Sequence, residues 1–212
     1  MEVLSLTEDN LDECVARAAA VLRAGGVILY PTDTLYGLGA DALSDAAVSK
    51  VKTIKGREEG KPMHAIVADI EMAEQYGEVD DRIRLLAKEL PMGQLTFIVK
   101  KKDDLKTGIA KGIDTFGFRI PDNDFCLALV REFGGPITAT SANKSGEVPQ
   151  RSVENILEQL GARAHSIGLV IDAGELPECK PSSVVDLSGI EARIVREGAI
   201  PVSHVLGVLR SP

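Results

Sequence analysis

The sequence predicts an α/β fold built on a twisted, mixed sheet with flanking helices. Two observations predict it. Segments with helical spacing of apolar residues are interspersed along the chain with short apolar runs that are typical of buried strands. Near 96–120 and 168–196, strand patterns follow one another without an intervening helix, which favours antiparallel pairing and makes the sheet mixed.

The elements follow in chain order. Apolar residues at helical spacing predict a helix over 10–24, which the next two glycines would end. The run 27–30 is typical of a fully buried strand. Ser44 is the predicted N-cap of a second helix that extends to Ile54. Further helices are predicted at 70–76, 83–90, 125–133, 153–160 and from about 203. Further strands are predicted at 65–67, 96–99, 117–120, 137–140, 168–171, 184–186 and 194–196.

The length of 212 residues allows one or two domains, and the interspersed strands and helices favour a single domain over 1–212, with no further C-terminal domain expected. The 24 Lys and Arg residues against 32 Asp and Glu residues give a net charge of −8. Such an acidic chain is poorly suited to hold nucleic acid by bulk electrostatics, because neutralised phosphates dominate that affinity. Aromatic residues make up 4%, which leaves little material for stacking single-stranded bases.

The chain shows no targeting or membrane signal. No apolar run approaches the roughly 20 residues that cross a bilayer, and the N-terminus is acidic rather than basic. Three cysteines are far apart, as expected of reduced thiols in a cytoplasmic protein: Cys14, Cys126 and Cys179. Three histidines lack partners at metal-ligand spacing: His64, His165 and His204. We therefore expect no protein-held metal and no membrane partner.

Two segments near the N-terminus could carry chemistry. Residues 31–39 place two threonines, an aspartate, a tyrosine and two glycines directly after a buried strand, where ligands gather in α/β sheets. A turn that satisfies its own backbone is the alternative. Residues 50–61 carry five basic residues against two glutamates, and such a local excess suggests an anionic ligand. A solvated helix face with lysines near its C-terminus is the alternative there.

Two further segments follow later strands. In 115–122, the two phenylalanines are predicted to share a core face, and Arg119 at the strand end is placed to grip a carboxylate. In 138–146, a buried strand opens into a loop of hydroxyls and an amide, which suits a phosphate or ribose, or is an ordinary polar loop. Ser141 lacks the surroundings of a hydrolytic nucleophile.

Six motifs in this order closely resemble the YrdC-type family over about residues 10 to 200. They are Pro-Thr-Asp-Thr-Leu-Tyr-Gly-Leu-Gly (31–39), Lys-Gly-Arg (55–57) with Lys-Pro (61–62), Phe-Arg-Ile-Pro-Asp (118–122), Thr-Ser-Ala-Asn-Lys-Ser-Gly (140–146), Ser-Ser-Val-Val-Asp (182–186) and Arg-Glu-Gly-Ala-Ile (196–200). The resemblance implies a twisted mixed sheet with a concave, positively lined cavity.

The resemblance also implies an activity, that of a threonylcarbamoyl-AMP synthase. Members of the family are nucleotidyltransferases that use L-threonine, bicarbonate and ATP with Mg²⁺ to form threonylcarbamoyl-AMP and pyrophosphate. That adenylate supplies the tRNA threonylcarbamoyl-transfer machinery, which forms threonylcarbamoyladenosine at position 37 of tRNA. A weak direct contact with RNA is left open.

By the same resemblance, ten residues are expected to line the site. Those for L-threonine are Thr34, Arg119 and Ser182. Those for the nucleotide are Lys55, Arg57, Lys61, Thr115, Ser141, Asn143 and Arg196, of which Lys55 and Arg57 are the expected catalytic residues. The chain departs from the family at 179–183, which bears on threonine affinity, and has Ile66 where some longer relatives carry a histidine. No role is assigned to His64, two residues earlier on the same face of that strand.

Two other function classes are compatible with the residues. One is an RNA-binding module that uses the basic stretches 50–61 and 98–112 as a groove without ATP chemistry. The other is a hydrolase that releases carbamoyl or acyl adenylates on the same scaffold. Binding through a phosphate groove should weaken steeply as the salt concentration rises, whereas ATP turnover by a synthase should persist. A hydrolase should turn over without threonine, whereas a synthase should require it.

Overall fold

The computed structural model describes residues 1–58 and 60–210. Position 59 of the basic stretch 50–61 and positions 211 and 212 at the end of the chain lie outside the described residues. The strands are β1 (Glu2–Ser5), β2 (Ile28–Tyr30), β3 (Gly37–Gly39), β4 (His64–Ile66), β5 (Leu95–Lys100), β6 (Thr115–Arg119), β7 (Ile137–Ser141), β8 (Leu169–Asp172), β9 (Ser183–Asp186) and β10 (Arg193–Arg196). The helices are α1 (Leu11–Arg23), α2 (Asp45–Lys55), α3 (Ile70–Glu74), α4 (Asp81–Glu89), α5 (Asp124–Phe133), α6 (Val153–Leu160) and α7 (Val202–Arg210). Among these helices, none is long and apolar enough to span a bilayer.

The strands form one sheet in the order β1-β8-β2-β3-β7-β4-β6-β5-β9-β10. Parallel pairs are β1–β8, β2–β8, β4–β6 and β5–β9, and the remaining neighbours are antiparallel. The predicted mixed sheet and α/β class are therefore confirmed. The expected antiparallel pairing within 96–120 is also confirmed, because β5 and β6 pair in that sense.

The expected pairing within 168–196 is only half right. Strands β9 and β10 are antiparallel, but β8 lies between β1 and β2 and is parallel to both. The N-terminal strand takes the position beside β8 that a later strand was expected to fill. Because β1 is mostly exposed at the sheet edge, its sequence lacks the apolar run that marks a buried strand.

The two faces of the sheet bury different sets of residues. Along β2, Ile28 and Tyr30 join a cluster with α1 and α5, whereas Leu29 faces the larger core that contains α2 and α4. Successive strand residues point to opposite faces, so one apolar run serves both clusters. The fully apolar pattern of 27–30 follows from this burial on both sides.

Helix α2 carries the first basic motif to the sheet. The Ser44 side chain accepts a hydrogen bond from Ala47 N at the helix start, which confirms the predicted N-cap. The helix ends at Gly56, whose φ of +58° is the left-handed conformation that favours glycine. Lys55 is thus the last helical residue, and Arg57 lies beyond the reversal of the chain.

The segment that was expected to be a loop after β2 contains a short strand, β3. Ala, Val and Ile are absent from Gly37–Gly39, so no strand pattern marks it. The ring of Tyr30 on the neighbouring strand lies across it, and a Cβ on Gly37 or Gly39 would come within 2.9 Å of Tyr30 Cε1. Both glycines are therefore required by the close approach of this ring.

A short 3₁₀ turn, Gly108–Ala110, packs against the start of α2. Gly108 has a φ of +62°, and its N–H donates to Asp45 Oδ1 at 2.7 Å. A Cβ on Gly108 would lie 1.9 Å from Ala42 O. The turn therefore ties the N-terminal end of α2 to the sheet.

Gly108→Ala should lower the free energy of unfolding by about 1–3 kcal/mol more than Gly112→Ala, because only the former adds a clash with backbone. Gly112 is the matched control, since its φ is +74° and no atom lies within 4 Å of its Cβ position. Urea titration of both variants measures the difference. Equal losses in the two variants would contradict this packing.

Candidate functional site

A cavity of about 840 Å³ opens at one side of the sheet. Its charged lining comprises Arg57, Arg119, Arg151 and Arg196 against Glu175 and Glu178. Six of the ten predicted site residues line it: Thr34, Arg57, Arg119, Ser141, Ser182 and Arg196. The lining therefore has an excess of cations although the whole chain has a net charge of −8.

The register of the sheet brings the site segments together. Tyr30 at the end of β2 pairs with Gly37 of β3, and Gly37 pairs with Ser141 at the end of β7. His64 at the start of β4 pairs with Ala139 of β7. The polar loops after β2 and β7 are adjacent for this reason, although they are far apart in the chain.

Arg119 is held by an ion pair within the wall of the cavity. Its Nη2 donates to Asp33 Oδ1 at 2.6 Å, and its Nη1 donates to Thr34 Oγ1 at 3.0 Å and to Gly93 O at 3.1 Å. Burial raises the pKa of Asp33, and the charge of Arg119 opposes that rise. Among the described residues, Arg119 Nε and one Nη2 hydrogen have no partner. The carboxylate that Arg119 holds in this structure is that of Asp33, to which sequence reasoning assigned no part.

The turn after β2 satisfies its own backbone and also presents a hydroxyl to the cavity, so both interpretations of residues 31–39 apply in part. Thr32 Oγ1 accepts from Thr34 N at 3.0 Å and from Leu35 N at 3.2 Å, so Thr32 satisfies the turn's own backbone. Thr34 instead turns its hydroxyl to Arg119 on the cavity wall. Cys179 Sγ donates to Thr34 O at 2.8 Å, so the segment that begins at Cys179 packs on this turn.

Lys55 lies beneath the cavity wall rather than on it. Its side chain is 2% exposed, and Nζ donates to the carbonyl of Ser141, to Asn143 O at 2.9 Å and to Asn143 Oδ1 at 3.1 Å. Burial, helped by Arg57, lowers the pKa of Lys55 to about 7. The three donors of its ammonium are therefore engaged by the loop after β7, and none remains for a ligand.

Asn143 supports the same loop. Its Nδ2 donates to Lys144 O at 3.0 Å and to Glu147 O at 2.7 Å, and Ser141 Oγ donates to its Oδ1. Asn143 is 7% exposed and does not line the cavity. Of the predicted Ser-x-Asn pair, only Ser141 therefore reaches the ligand space, and Asn143 holds it in place.

Arg57 reaches the cavity with unused donors. Its Nη2 donates to Pro62 O at 2.7 Å, and its buried Nε has no hydrogen-bond partner in the described part of the chain. Such an orphaned donor costs free energy unless a ligand accepts from it. Burial lowers the pKa of the Arg57 guanidinium.

Two predicted nucleotide contacts lie elsewhere. The Lys61 side chain is 52% exposed and pairs with Glu58 at 2.9 Å. Thr115 starts β6, opposite Lys100, at the end of that strand away from Arg119. Neither residue lines the cavity. Lys61 is held at the surface by its ion pair with Glu58, and the register of β6 places Thr115 at the end of the strand that is farther from the cavity.

Ser182 links Arg196 to the sheet. Thr96 Oγ1 and Ser182 Oγ are 2.7 Å apart, and Arg196 Nε and Nη2 donate to Ser182 O at 3.2 and 2.7 Å. The pairing of β9 and β10 shifts between Ile194 and Arg196, an irregularity that re-aims the side chain. Sequence reasoning missed Thr96. The signal that could have identified it is that Thr96 is a polar residue within the otherwise apolar run 95–99.

His64 also lines the cavity and was assigned no role from the sequence. A Cβ on Gly117 of β6 would lie 2.3 Å from His64 Cδ2, so the glycine of Phe-Gly-Phe makes room for the imidazole. The flanking Phe116 and Phe118 are buried and stacked in the core, as predicted. Burial, followed by the charges of Arg196 and Arg57, lowers the pKa of His64 to about 4.

Lys55→Met should lower the free energy of unfolding by about 3 kcal/mol, because it leaves buried carbonyl and amide oxygens without a donor. Thermal unfolding followed by circular dichroism measures the loss. The exposed Lys106→Met is the control and should change stability by no more than about 0.5 kcal/mol. Similar melting temperatures for both variants would show that the Lys55 contacts contribute little.

Stability should fall as pH decreases from 6.5 to 4 partly because of His64. Its folded pKa of about 4 is depressed, so the unfolded chain binds more protons in this window, and the contribution of about 3 kcal/mol is present above pH 6.5. His64→Leu should remove that part of the slope in urea titrations at several pH values. The exposed His165→Leu is the control and should parallel the unmodified protein. Parallel curves for all three proteins would refute the assignment.

Comparison with known proteins identifies the family. The Sua5/YciO/YrdC family model, described as telomere recombination, matches residues 20–198. The chain is 34% identical over 200 residues to threonylcarbamoyl-AMP synthase of Bacillus subtilis, an alignment that covers 93% of this chain and 57% of that protein. It is 37% identical over 195 residues to the mouse threonylcarbamoyl-AMP synthase, covering 89% of this chain and 68% of the mouse protein.

Solved structures agree with this assignment. The crystal structure of Pyrococcus abyssi Sua5 complexed with L-threonine superposes with a TM-score of 0.90 at 30% identity, covering 99% of this chain and 61% of that one. The chain thus spans about three fifths of the Bacillus and Pyrococcus relatives. The match of the family model together with these identities shows that the chain belongs to the Sua5/YciO/YrdC family.

Proposed function

We propose that this chain forms threonylcarbamoyl-AMP and pyrophosphate from L-threonine, bicarbonate and ATP. The observation that carries the proposal is a single cavity that presents Arg119, which is paired with the carboxylate of Asp33, together with Arg57 and Arg196, which form no ion pair among the described residues. Membership of a family that includes proteins named threonylcarbamoyl-AMP synthase supports it.

L-Threonine would bind at the Arg119 end. Arg119 Nε and Nη2 would donate hydrogen bonds to the two oxygens of the substrate carboxylate in a bidentate pair. Asp33 fixes the orientation of this guanidinium, the Thr34 hydroxyl accepts a hydrogen bond from it, and Ser182 lines the same cavity. Complex formation with L-threonine by Pyrococcus abyssi Sua5 supports this substrate.

ATP would bind at the end formed by Arg57, Arg196 and Ser141. The two guanidiniums would neutralise phosphate charge that develops on the leaving group, and the Ser141 hydroxyl would orient a phosphate oxygen. Lys55 would act through the loop that it holds. We do not include Lys61 and Thr115, because they lie outside the cavity.

Magnesium would enter with the nucleotide. Among the described residues, no group of three or more His, Cys, Asp or Glu side chains could hold a metal ion together. The fit is therefore to a cation carried mainly by phosphate oxygens and water, as Mg²⁺ prefers. When bound, Mg²⁺ would neutralise charge on the pyrophosphate that leaves.

The chemistry needs positioning rather than a covalent intermediate. The amine of threonine combines with bicarbonate to give an N-carboxylate and water. One carboxylate oxygen then forms a bond to the α-phosphorus of ATP while the bond between that phosphorus and the bridging oxygen breaks, and pyrophosphate leaves. Because the carbamate is unstable in water, a cavity that shields it is required. The chain's own contribution is to align the reactants and stabilise charge.

The product would pass to the machinery that transfers threonylcarbamoyl to position 37 of tRNA in the cytoplasm. The deciding experiment incubates the protein with labelled threonine, bicarbonate and Mg-ATP and identifies the adenylate by mass. Pyrophosphate should appear only when threonine is present. An ATP hydrolase would turn over without threonine, and an RNA-binding module would form no adenylate.

Arg57→Ala should lower kcat/KM at least about tenfold in this assay, because it removes charged hydrogen bonds to phosphate. Pyrophosphate release at subsaturating ATP measures the change. Lys88→Ala, on the exposed face of α4, is the control and should retain full turnover. Turnover of Arg57→Ala close to that of the unmodified protein would refute the role of Arg57.

A further inference from the structure

The hydroxyl of Tyr36 connects the 31–39 motif to a distant part of the chain. The residue is 1% exposed and borders the cavity. Its hydroxyl donates to Gly174 O at 2.7 Å, lies 3.3 Å from Asp172 Oδ1 and accepts from Ala173 N at 2.9 Å. Burial raises the pKa of Tyr36 to about 12, so the hydroxyl keeps the proton that it donates at neutral pH. One buried group thus satisfies both a backbone carbonyl and a backbone N–H directly after β8.

Residues 173–182, which we call the crossing segment, carry the chain from β8 to β9. They contain no helix or strand, and six strands lie between β8 and β9 in the sheet. Because neighbouring strands are about 4.8 Å apart, this is a long crossing for so short a segment. A segment without regular structure takes its position from the ties that hold it. Several of its residues line the cavity: Glu175, Glu178, Cys179, Pro181 and Ser182.

The later part of the crossing segment is tied to the cavity walls at two points. Cys179 Sγ donates to Thr34 O at 2.8 Å, on the turn that faces the threonine end. Ser182 Oγ lies 2.7 Å from Thr96 Oγ1, in a buried contact with β5. Loss of the Tyr36 contacts would therefore loosen the part that leads to Cys179 and leave Ser182 in place.

A further tie to the segment lies at the surface. Leu176 N donates to Arg151 O at 2.9 Å, and the Arg151 side chain pairs with Glu175 at 2.6 Å. Both partners of this ion pair are about half exposed, and exposed pairs contribute little because water and salt screen them. Tyr36 supplies the buried tie at the start of the segment.

We propose that Tyr36 is a positioning residue for the threonine end of the cavity, because its hydroxyl holds the crossing segment so that Cys179 closes against the turn at Thr34. The inference rests on the proposed function for the identity of the ligand. Tyr36 acts through the segment and not on the reacting atoms, since its hydroxyl is engaged by the backbone. The nucleotide end is independent of this tie, because Ser182 keeps its contact with β5.

Steady-state kinetics test the role of Tyr36. Pyrophosphate release is measured with threonine varied at saturating ATP, and with ATP varied at saturating threonine. Tyr36→Phe should raise KM for threonine about fivefold, because the hydrogen bonds that hold the segment are lost, and should leave KM for ATP within about twofold. Tyr76→Phe, half-buried and outside the cavity, is the control and should match the unmodified protein.

A second pair of variants tests the same tie from a residue that does not line the cavity. Asp172 Oδ1 accepts from Gly174 N at 2.8 Å and lies beside the Tyr36 hydroxyl. Asp172→Ala should therefore give the same split between the two KM values. Asp172→Asn keeps a side-chain oxygen at this position and should retain most of the affinity for threonine.

Limited proteolysis follows the crossing segment itself. Glutamyl endopeptidase can cleave after the exposed Glu175 and Glu178, and mass spectrometry maps the cuts. Cleavage at these two bonds should be faster in Tyr36→Phe than in the unmodified protein, and threonine should slow it in the unmodified protein. Cleavage after glutamates throughout the chain would instead show that a variant is unfolded, and Asp172→Ala then decides in place of Tyr36→Phe.

The outcomes separate this role from the synthase function. Equal changes in both KM values, or no change in either, would overturn the role of Tyr36 and leave the synthase function standing. If the unmodified protein forms no adenylate, the synthase function is wrong. The role of Tyr36 is then wrong as well, unless threonine slows cleavage of the unmodified protein and Tyr36→Phe loses that protection.

Discussion

Burial of cationic side chains without equal numbers of carboxylates is the constraint on which the site depends. Lys55 is compensated by three neutral oxygens of one loop, and Arg119 by the carboxylate of Asp33. Arg57 donates to a backbone carbonyl, Arg196 donates to the carbonyl and hydroxyl of Ser182, and within the described residues neither has an acidic partner. A charge that is removed from water and left uncompensated is costly. The site therefore separates cations that are compensated within the protein from cations that have no acidic partner among the described residues.

Ser182 connects Arg196 to strand β5 of the sheet. Its hydroxyl contacts Thr96 within the sheet, and its carbonyl accepts from Arg196. Burial lowers the pKa of Arg196, and the charge of Arg119 lowers it further, so the two guanidiniums repel each other. An anion at either end reduces this repulsion for the other. Under the proposed function, binding of the threonine carboxylate and of the ATP phosphates would favour each other, and linkage requires this coupling to be reciprocal.

Much of the fold was predictable because its elements obey simple periodicities. Helices such as α2 carry one apolar face, and buried strands such as β2 are continuous apolar runs. The elements that were missed lack these patterns. Strand β1 is an exposed edge, and β3 is defined by the Tyr30 ring that covers its glycines. Strand β8 pairs with the N-terminal strand β1, and no local sequence pattern encodes a pairing between segments so far apart in the chain.

The site was harder to predict, because its roles are decided by contacts between distant segments. Motif order identified the residues that face the cavity, such as Arg119 and Ser141, but not Asp33, whose role appears only when β2 and β6 are brought together. The Lys-Gly-Arg motif shows the limit most clearly. Lys55 is the last helical residue and points under the loop after β7, whereas the left-handed Gly56 reverses the chain and delivers Arg57 to the cavity. Two cations that are two positions apart thus have different roles, one structural and one open to a ligand, because a single backbone reversal separates them.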